Sequence, residues 1–158
     1  MATEIEPKLL INPADIASLR RHPTLKAHAS GRARTRTLFS IYFDTPDSSL
    51  RKQHVALRVR RTGARWVQTV KGGGGVRAGL HQRGEWEDEV AHDHPDLTKI
   101  TDPALLKLFS SAAVRDKLQA VFTTEFKRTT WQLQWDNGDA LELALDQGAV
   151  KSGDKIAP

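Results

Sequence analysis

The chain has 158 residues, 24 Lys and Arg against 19 Asp and Glu, a net charge of +5 and no cysteine. That length suits one domain with a substantial core, and the lack of cysteine excludes disulfides and thiolate metal sites. The basic balance favours anionic partners, whether phosphates, nucleic acid or a membrane surface, without choosing among them. No apolar run approaches the roughly 20 residues that cross a bilayer and no signal-peptide pattern is present, so we expect a cytoplasmic protein.

The first predicted element is a strand over TEIEPKLL, in which charged and apolar residues alternate. Successive side chains of a strand point to opposite faces, so Glu4, Glu6 and Lys8 share one face. The strand therefore carries two carboxylates and an amine side by side, on the face away from its apolar residues.

Two helices are predicted from their capping residues. In the first, NPADIASLRRHP, Asn12 is placed as the N-cap, Pro13 takes the first helical position and Pro23 follows the end. The second, DPALLKLFSSAAVRDKLQ, begins at Asp102 and Pro103 and has apolar residues at helical spacing. We expect it to be the main helix.

Seven segments have the alternation or the β-branched and aromatic content that is typical of strands. Thr62 and Gly63 are predicted to connect one hairpin, and residues 136–139 (DNGD) another. Between strands, SSLRKQH is predicted as a turn or helical turn and GGGGVRAG as a flexible loop. The predicted strands are TEIEPKLL, LFSIYFDTP, VALRVRR, ARWVQTVK, RGEWEDEV, VFTTEFKRTTWQLQW and ALELALDQG.

Charged side chains recur on one face of strand after strand. In VALRVRR, for example, Arg58 and Arg60 oppose Leu57 and Val59. A solvated outer face of an ordinary antiparallel sheet explains this pattern. The alternative is a closed barrel with a polar interior and helices packed outside. Its interior would hold the cations Lys8, Arg58, Arg60, Lys71, Arg83 and Arg128 and the carboxylates Glu4, Glu6, Glu85, Glu87, Glu142 and Asp146.

Such an interior must be electrically compensated by what it binds. A polyanion would compensate the cations and a divalent metal the carboxylates. Oxygen-only carboxylate ligands suit Mg²⁺ or Mn²⁺ rather than zinc, and Mg²⁺ is commonly bound through carboxylates together with substrate phosphates. The barrel alternative therefore predicts a metal-phosphate ligand.

Six blocks of the sequence resemble, in order, the CYTH superfamily of triphosphate tunnel metalloenzymes. The opening EIEPK fits the ExExK signature of that family, and five further blocks follow over nearly the whole chain. GLHQRGEWE and FTTEFKRTTW are most similar to the bacterial inorganic triphosphatase branch, whose members often carry a C-terminal helical CHAD-type domain. The five further blocks are YFDTP, LRVR, TVKG, RGEWE and LDQG.

The resemblance implies one CYTH domain over residues 1–158, of the α+β class and mainly antiparallel β. Its fold would be an eight-stranded triphosphate tunnel with helices outside. By analogy Lys8, Arg58, Arg60, Lys71, Arg83 and Arg128 bind the phosphates, and Glu4, Glu6 and Lys8 are catalytic. The implied ligands of Mg²⁺ or Mn²⁺ are Glu4 and Glu6 with Asp146, joined by Glu85, Glu87 or Glu142.

The implied activity is metal-dependent hydrolysis of inorganic triphosphate to pyrophosphate and phosphate. Hydrolysis of thiamine triphosphate or a nucleoside triphosphate, or adenylate cyclase activity, would use the same phosphate-binding residues. The alternative outside the enzymes is a module that binds polyphosphate without catalysis. In each case the expected partner is a small polyanion, with no specific nucleic acid and no membrane.

Two departures from the family pattern stand out. Pro7 lies where an apolar residue is usual and removes one backbone donor, so we expect its position to be unpaired, bulged or at an edge. The chain ends at GDKIAP, where the resemblance expects a last strand with another acidic triplet. We therefore expect a C-terminal truncation, which leaves the fragment inactive unless the missing segment or a neighbouring chain in a homodimer donates the strand.

Four further features are expected to be structural or solvated. Residues 72–75 are predicted to be a mobile loop rather than a phosphate-binding loop, because no helix follows and the P-loop pattern is absent. Residues 92–94 (HDH) and the basic stretch over 32–36 are predicted to be solvated loops rather than metal and nucleic-acid sites. Trp131 and Trp135 are predicted to pack rather than to stack on bases.

Overall fold

Strands account for most of the regular structure in the computed structural model, which describes residues 7–72, 76–77, 80–81 and 84–158. The strands are β1 (Arg34–Asp44), β2 (Ala56–Thr62), β3 (Arg65–Gly72), β4 (Val76–Arg77), β5 (Leu80–His81), β6 (Gly84–Val90), β7 (Gln119–Gln134), β8 (Ala140–Ser152) and β9 (Lys155–Ala157). Seven of them form one sheet in the order β6-β3-β2-β1-β7-β8-β9, and β4 pairs with β5.

The helices of the described residues are short. They are α1 (Ile16–Arg20), α2 (Pro23–His28), α3 (Ser49–Lys52), α4 (Pro103–Ser110) and α5 (Ala112–Arg115), with 3₁₀ turns at Pro13–Asp15 and Leu97–Lys99. In the large sheet, β1 pairs with β2, β2 with β3, β3 with β6 and β8 with β9, each antiparallel. The prediction of an α+β chain built mainly on antiparallel strands is confirmed.

The chain divides into two units. Unit 1 comprises Met1–Thr35 and Thr129–Leu145, and unit 2 comprises Arg36–Arg128 and Asp146–Pro158. Each unit has a hydrophobic core of its own.

The core of unit 2 lies between the apolar face of its strands and helices α3, α4 and α5. Leu57 of β2 and Val70 of β3 pack there with Leu105 and Phe109 of α4. Helix α4 begins where predicted, because the side chain of Asp102 accepts hydrogen bonds from the backbone N–H groups of residues 104 and 105. Since the apolar parity of β2 and β3 faces the helices, the charged parity is left on the opposite face.

The turn after β1 is organised around a buried carboxylate. Asp44 accepts hydrogen bonds from the backbone N–H groups of Thr45, Leu50 and Arg51, at 2.7, 2.9 and 3.2 Å. These bonds position α3, whose Leu50 is 1% exposed and belongs to the core. The predicted helical turn in SSLRKQH is therefore confirmed as α3.

The core of unit 1 is formed by α2 and the ends of β7 and β8. Leu25, Trp131, Leu133 and Leu145 are its buried members. Trp135 packs at its margin and stacks on the ring of His28, with 4.6 Å between centroids. The prediction that both tryptophans serve packing is therefore confirmed.

The predicted opening strand is wrong over its described part. Residues 7–12 have no regular structure, and Leu9 and Leu10 are 90% and 105% exposed. A strand persists where a neighbour takes its backbone hydrogen bonds, and Pro7 also lacks an N–H. No described strand pairs with residues 7–12, and Glu4 and Glu6 lie outside the described residues.

The helix predictions need two corrections. Asn12 caps the first turn by accepting from the N–H of Ala14 at 3.0 Å, but Pro23 begins α2 instead of only ending α1. Proline suits the first position of a helix, and His22 serves as the N-cap through Nδ1. The predicted main helix is interrupted at Ser111, whose backbone is extended, so that α4 and α5 are separate.

The strand predictions also change at their ends. β1 begins at Arg34, so part of the basic stretch 32–36 is strand rather than solvated loop. The backbone of the predicted loop GGGGVRAG contributes β4, and the turn between β2 and β3 falls at residues 63–64 rather than 62–63. β8 extends to Ser152, and a seventh strand of the sheet, β9, was not predicted. All three residues of β9 are exposed, so the sequence has no alternation of buried and exposed positions there that would predict a strand.

The edges of the seven-stranded sheet are β6 and β9. The expectation that a further strand completes the sheet, from the same chain or a neighbour, stays a prediction. No helix in the described residues is long and apolar enough to cross a membrane.

Candidate anion-binding site

Strand register brings the predicted charged residues of unit 2 to one face. Residues directly opposite in antiparallel strands point to the same side of the sheet. Across four strands, Tyr42 is opposite Arg58, Arg58 is opposite Thr69, and Thr69 is opposite Glu87. In the same way Ser40 is opposite Arg60, and Lys71 is opposite Glu85.

Arg58 is the most enclosed charged side chain of this face for which an ion pair is described, with 15% of its side chain exposed. Its Nη2 donates to Thr69 Oγ1 at 3.0 Å and lies 3.9 Å from Glu87 Oε1. Thr69 in turn donates to Glu87 at 3.3 Å. The Nε of Arg58 is buried and has no hydrogen-bond partner among the described residues. A buried donor of this kind calls for an acceptor.

Arg60 lies two residues along β2 and donates from Nε to the hydroxyl of Ser40 at 2.9 Å. Burial lowers its pKa, and the nearby charge of Arg58 lowers that pKa further. The guanidinium nevertheless remains a cation at neutral pH, because arginine in proteins is effectively always protonated. The described residues place no carboxylate within 4 Å of Arg60.

Arg128 adds a third guanidinium whose charge reaches Arg60 and lowers the Arg60 pKa. It donates to Asp146 through Nε and Nη2, each at 2.7 Å. Both side chains are little more than one-third exposed. We call Arg58, Arg60 and Arg128 the basic cluster; it carries three positive charges against the carboxylates of Glu87 and Asp146.

Lys71 and Glu85 form a neighbouring pair on the same face. Their charged atoms are 3.4 Å apart, and each side chain is about half exposed. An exposed pair of this kind contributes little to stability, so the lysine can exchange its carboxylate for another anion at small cost.

The remaining predicted site residues belong to unit 1 or lie outside the described residues. Glu142 belongs to unit 1, where its carboxylate accepts a hydrogen bond from the side-chain amide of Gln132. Lys8 is exposed in the irregular segment at residues 7–12 of the same unit. Glu4, Glu6 and Arg83 lie outside the described residues.

Within the described ranges, no three His, Asp or Glu side chains come together to hold a metal ion. Glu85, Glu87 and Asp146 each face a lysine or arginine instead. Their oxygen donors suit a hard divalent cation such as Mg²⁺ or Mn²⁺. In the HDH stretch, Nδ1 of His94 lies 3.3 Å from Oδ1 of the adjacent Asp93.

Sequence reasoning missed the uncharged members of the face. Ser40 and Thr69 are 0% and 1% exposed and fix the two arginines of β2. Tyr42 and Phe122 stack with 4.4 Å between ring centroids and 15° between planes. The sequence does indicate that Ser40 and Tyr42 share a face of β1, because they are two residues apart, as Arg58 and Arg60 are in β2. Only the strand register shows that the two pairs lie opposite one another.

Comparison with known proteins agrees with this fold. The chain is 30% identical over 162 residues to the inorganic triphosphatase of Haemophilus influenzae, and it spans 43% of the length of that protein. Among solved structures, HpAC1 from Hippeastrum, described as having a dominant triphosphatase activity, has a TM-score of 0.52 at 19% identity. That match covers 87% of this chain and 70% of the other.

A second solved structure is that of a Bacillus halodurans protein named as an adenylate cyclase. It has a TM-score of 0.48 at 20% identity. That match covers 90% of this chain and 68% of the other. The model of the CYTH domain matches residues 2–156, which is nearly the whole chain. The chain therefore belongs to the CYTH domain family.

Proposed function

We propose that this chain forms the triphosphate-binding part of an enzyme that hydrolyses inorganic triphosphate to pyrophosphate and phosphate. The observation that carries the proposal is the basic cluster, in which Arg58 and Arg60 are side by side on one strand and the Nε of Arg58 has no described partner. The 30% identical inorganic triphosphatase of Haemophilus influenzae supports the same reaction.

The basic cluster fits the chemistry of phosphoanhydride cleavage. In this reaction water attacks the terminal phosphorus, the P–O bond to the bridging oxygen breaks, and pyrophosphate leaves with the bond's electron pair. The protein's main task is to position the phosphates and to stabilise the negative charge on their oxygens. Guanidinium groups do both, because their fixed donors match phosphate oxygens in pairs. Lys71 would add a further charge at the same face after leaving Glu85.

The proposal includes a divalent metal, Mg²⁺ or Mn²⁺. Glu4 and Glu6 would be its principal ligands, and Asp146, Glu85 and Glu87 are the described carboxylates available to join them. Glu142 is the weaker candidate because Gln132 already binds its carboxylate. When bound, the metal would neutralise phosphate charge and orient water. The catalytic roles of Glu4, Glu6 and Lys8, phosphate binding by Arg83, and a cytoplasmic location stay predictions.

Neighbouring arginines of β2 give the sharpest test. Arg60→Ala removes a member of the basic cluster, while Arg61→Ala removes an exposed arginine whose Nε donates to the carbonyl of Gly63. Phosphate release from tripolyphosphate would be measured with the full-length protein and Mg²⁺ or Mn²⁺. We expect Arg60→Ala to lower kcat/KM about 100-fold, the loss typical of one transition-state donor. Arg61→Ala should stay within about twofold of the parent, and equal losses in both variants would refute the assignment.

The same assay separates the alternatives. ATP and thiamine triphosphate would be run beside tripolyphosphate, with cyclic AMP measured as the product of a cyclase reaction. Preference for tripolyphosphate supports the proposal, whereas a higher kcat/KM on an organic triphosphate would replace it by that activity. Tight binding of tripolyphosphate with no release from any substrate would establish the binding module instead.

A further inference from the structure

A second basic pocket is lined by residues of unit 1 alone, none of which belongs to the basic cluster. Its volume is about 360 Å³, within the range of small-molecule sites. It is lined by Ser30, Gly31, Arg32, Ala33, Arg34, Thr130 and Gln132.

The pocket arises where the chain enters β1. Ala29 pairs with Leu133, and the N–H of Ser30 donates to the carbonyl of Gln132 at 2.8 Å. Gly31 then takes a φ of +98°, a conformation that side chains rarely adopt. Residues 31–33 belong to no strand, and β1 begins only at Arg34. The local path of the backbone therefore leaves a gap beside residues 130 and 132.

The two arginines of this pocket form no ion pair with the described part of the chain. Neither Arg32 nor Arg34 has a carboxylate within 4 Å there. Gln132, one of the lining residues, donates from its side-chain amide to the carboxylate of Glu142 on β8. Two guanidinium groups without acidic partners make the pocket attractive to anions.

We propose that this pocket is a second binding site for inorganic oligophosphate. Two arginines offer paired donors to phosphate oxygens, and the hydroxyl of Thr130 adds a neutral donor. A free oligophosphate fits better than single-stranded nucleic acid, because none of the lining residues is aromatic and base stacking needs such a ring. The site would hold substrate, product or a longer phosphate chain outside the proposed active site.

The test separates the two sites by using tripolyphosphate itself as the probe, with EDTA present to stop turnover. Isothermal titration would be done on the full-length protein in an Arg58→Ala/Arg60→Ala background, which weakens the basic cluster. We expect residual binding at one site per chain. Adding Arg32→Ala/Arg34→Ala should weaken this residual binding at least about tenfold, the equivalent of one charge-assisted hydrogen bond.

Arg21→Ala/Lys26→Ala is the matched control, because it removes two exposed positive charges from unit 1 outside the pocket. It should leave the residual affinity within about twofold, and Arg32→Lys/Arg34→Lys should retain part of it through charge alone. An equal loss in the control pair, or no residual binding in the Arg58→Ala/Arg60→Ala background, would overturn the second site. Since the titration needs no turnover, it stands or fails apart from the proposed hydrolysis.

Discussion

Asp146 binds Arg128 along the full edge of the guanidinium, with Oδ1 accepting from Nε and Oδ2 from Nη2, each at 2.7 Å. The pair joins β7 to β8 and orients a guanidinium whose charge is felt by Arg60. Asp146 is also a proposed metal ligand, so a single carboxylate would connect the metal with the phosphate-binding residues.

Asp146→Asn tests this double role. The amide keeps the size of the side chain but removes its charge and replaces one acceptor by a donor that faces Arg128. We expect kcat/KM for tripolyphosphate to fall about 100-fold and the metal concentration for half-maximal activity to rise at least about tenfold. The stability change should stay below about 1 kcal/mol, because the ion pair is partly exposed.

Asp154→Asn is the control for Asp146→Asn, since Asp154 is an exposed carboxylate in the turn before β9. Metal titrations of phosphate release would compare the two variants. A metal dependence of Asp146→Asn equal to that of the parent would remove Asp146 from the metal site, whatever its effect on Arg128.

Thr69→Val tests whether the buried threonine fixes Arg58. The substitution keeps the shape of the side chain and removes the hydroxyl that accepts from Arg58 and donates to Glu87. Arg58 already has one nitrogen with no partner among the described residues and would lose a further acceptor, so we expect a loss of about 1–3 kcal/mol in the free energy of unfolding. Urea denaturation measures it, and Thr69→Ser, which retains the hydroxyl, should recover most of the loss. Equal losses in the valine and serine variants would contradict this role.

Adjacent leucines of α4 test the placement of the core in unit 2. Leu105 is 2% exposed and Leu106 is 44% exposed. Leu105→Ala should lower the free energy of unfolding by about 2–5 kcal/mol, because it leaves a cavity that the neighbouring side chains fill only partly. Leu106→Ala should cost less than about 1 kcal/mol. Similar thermal or urea midpoints for the two variants would show that the buried face of α4 is assigned wrongly.

The hydrogen bonds to the Asp47 carboxylate predict a contribution to stability that is lost in acid. Hydrogen bonds from the hydroxyl of Thr45, and then from that of Ser49, lower the pKa of Asp47 below its ordinary value of 3.8. A group whose pKa is lower in the folded state stabilises the protein above its unfolded pKa and loses that contribution as the pH falls through the folded pKa. Asp47→Asn should therefore be less stable than the parent at pH 7, and the difference should shrink towards pH 3. A difference that stays constant between these pH values would exclude this linkage.

The functional face could be predicted from the sequence because it depends on parity within each strand. Arg58 and Arg60 alternate with Leu57 and Val59, and the apolar pair is buried as the alternation requires. The contacts of the face could not be predicted in this way. The contacts of Arg60 with Ser40 and of Arg58 with Thr69 depend on which strands are neighbours and on their register. The sequence of a single strand determines neither.

The ends of the elements show a second limit. The alternation of TEIEPKLL predicts a strand, yet the described residues 7–12 form none, because a strand also needs a partner. Conversely, β9 pairs with β8 although its three residues are exposed and show no alternation that marks a buried face. The hydrophobic pattern of a sequence indicates which residues are buried. A strand at the edge of a sheet can pair with its neighbour while burying few side chains, so the pattern does not predict it.

Asp44 changes what the YFDTP block means as a diagnostic of the family. Its carboxylate is committed to three backbone N–H groups of the turn and of α3, which leaves it to fold the chain rather than to meet a ligand. A protein could thus keep this block, and with it the architecture, after losing Arg58 and Arg60 and the phosphate binding that we propose for them. Under the proposed function, the alternating arginines of LRVR are therefore the better marker when genomes are searched for active relatives, and YFDTP is a marker of the fold.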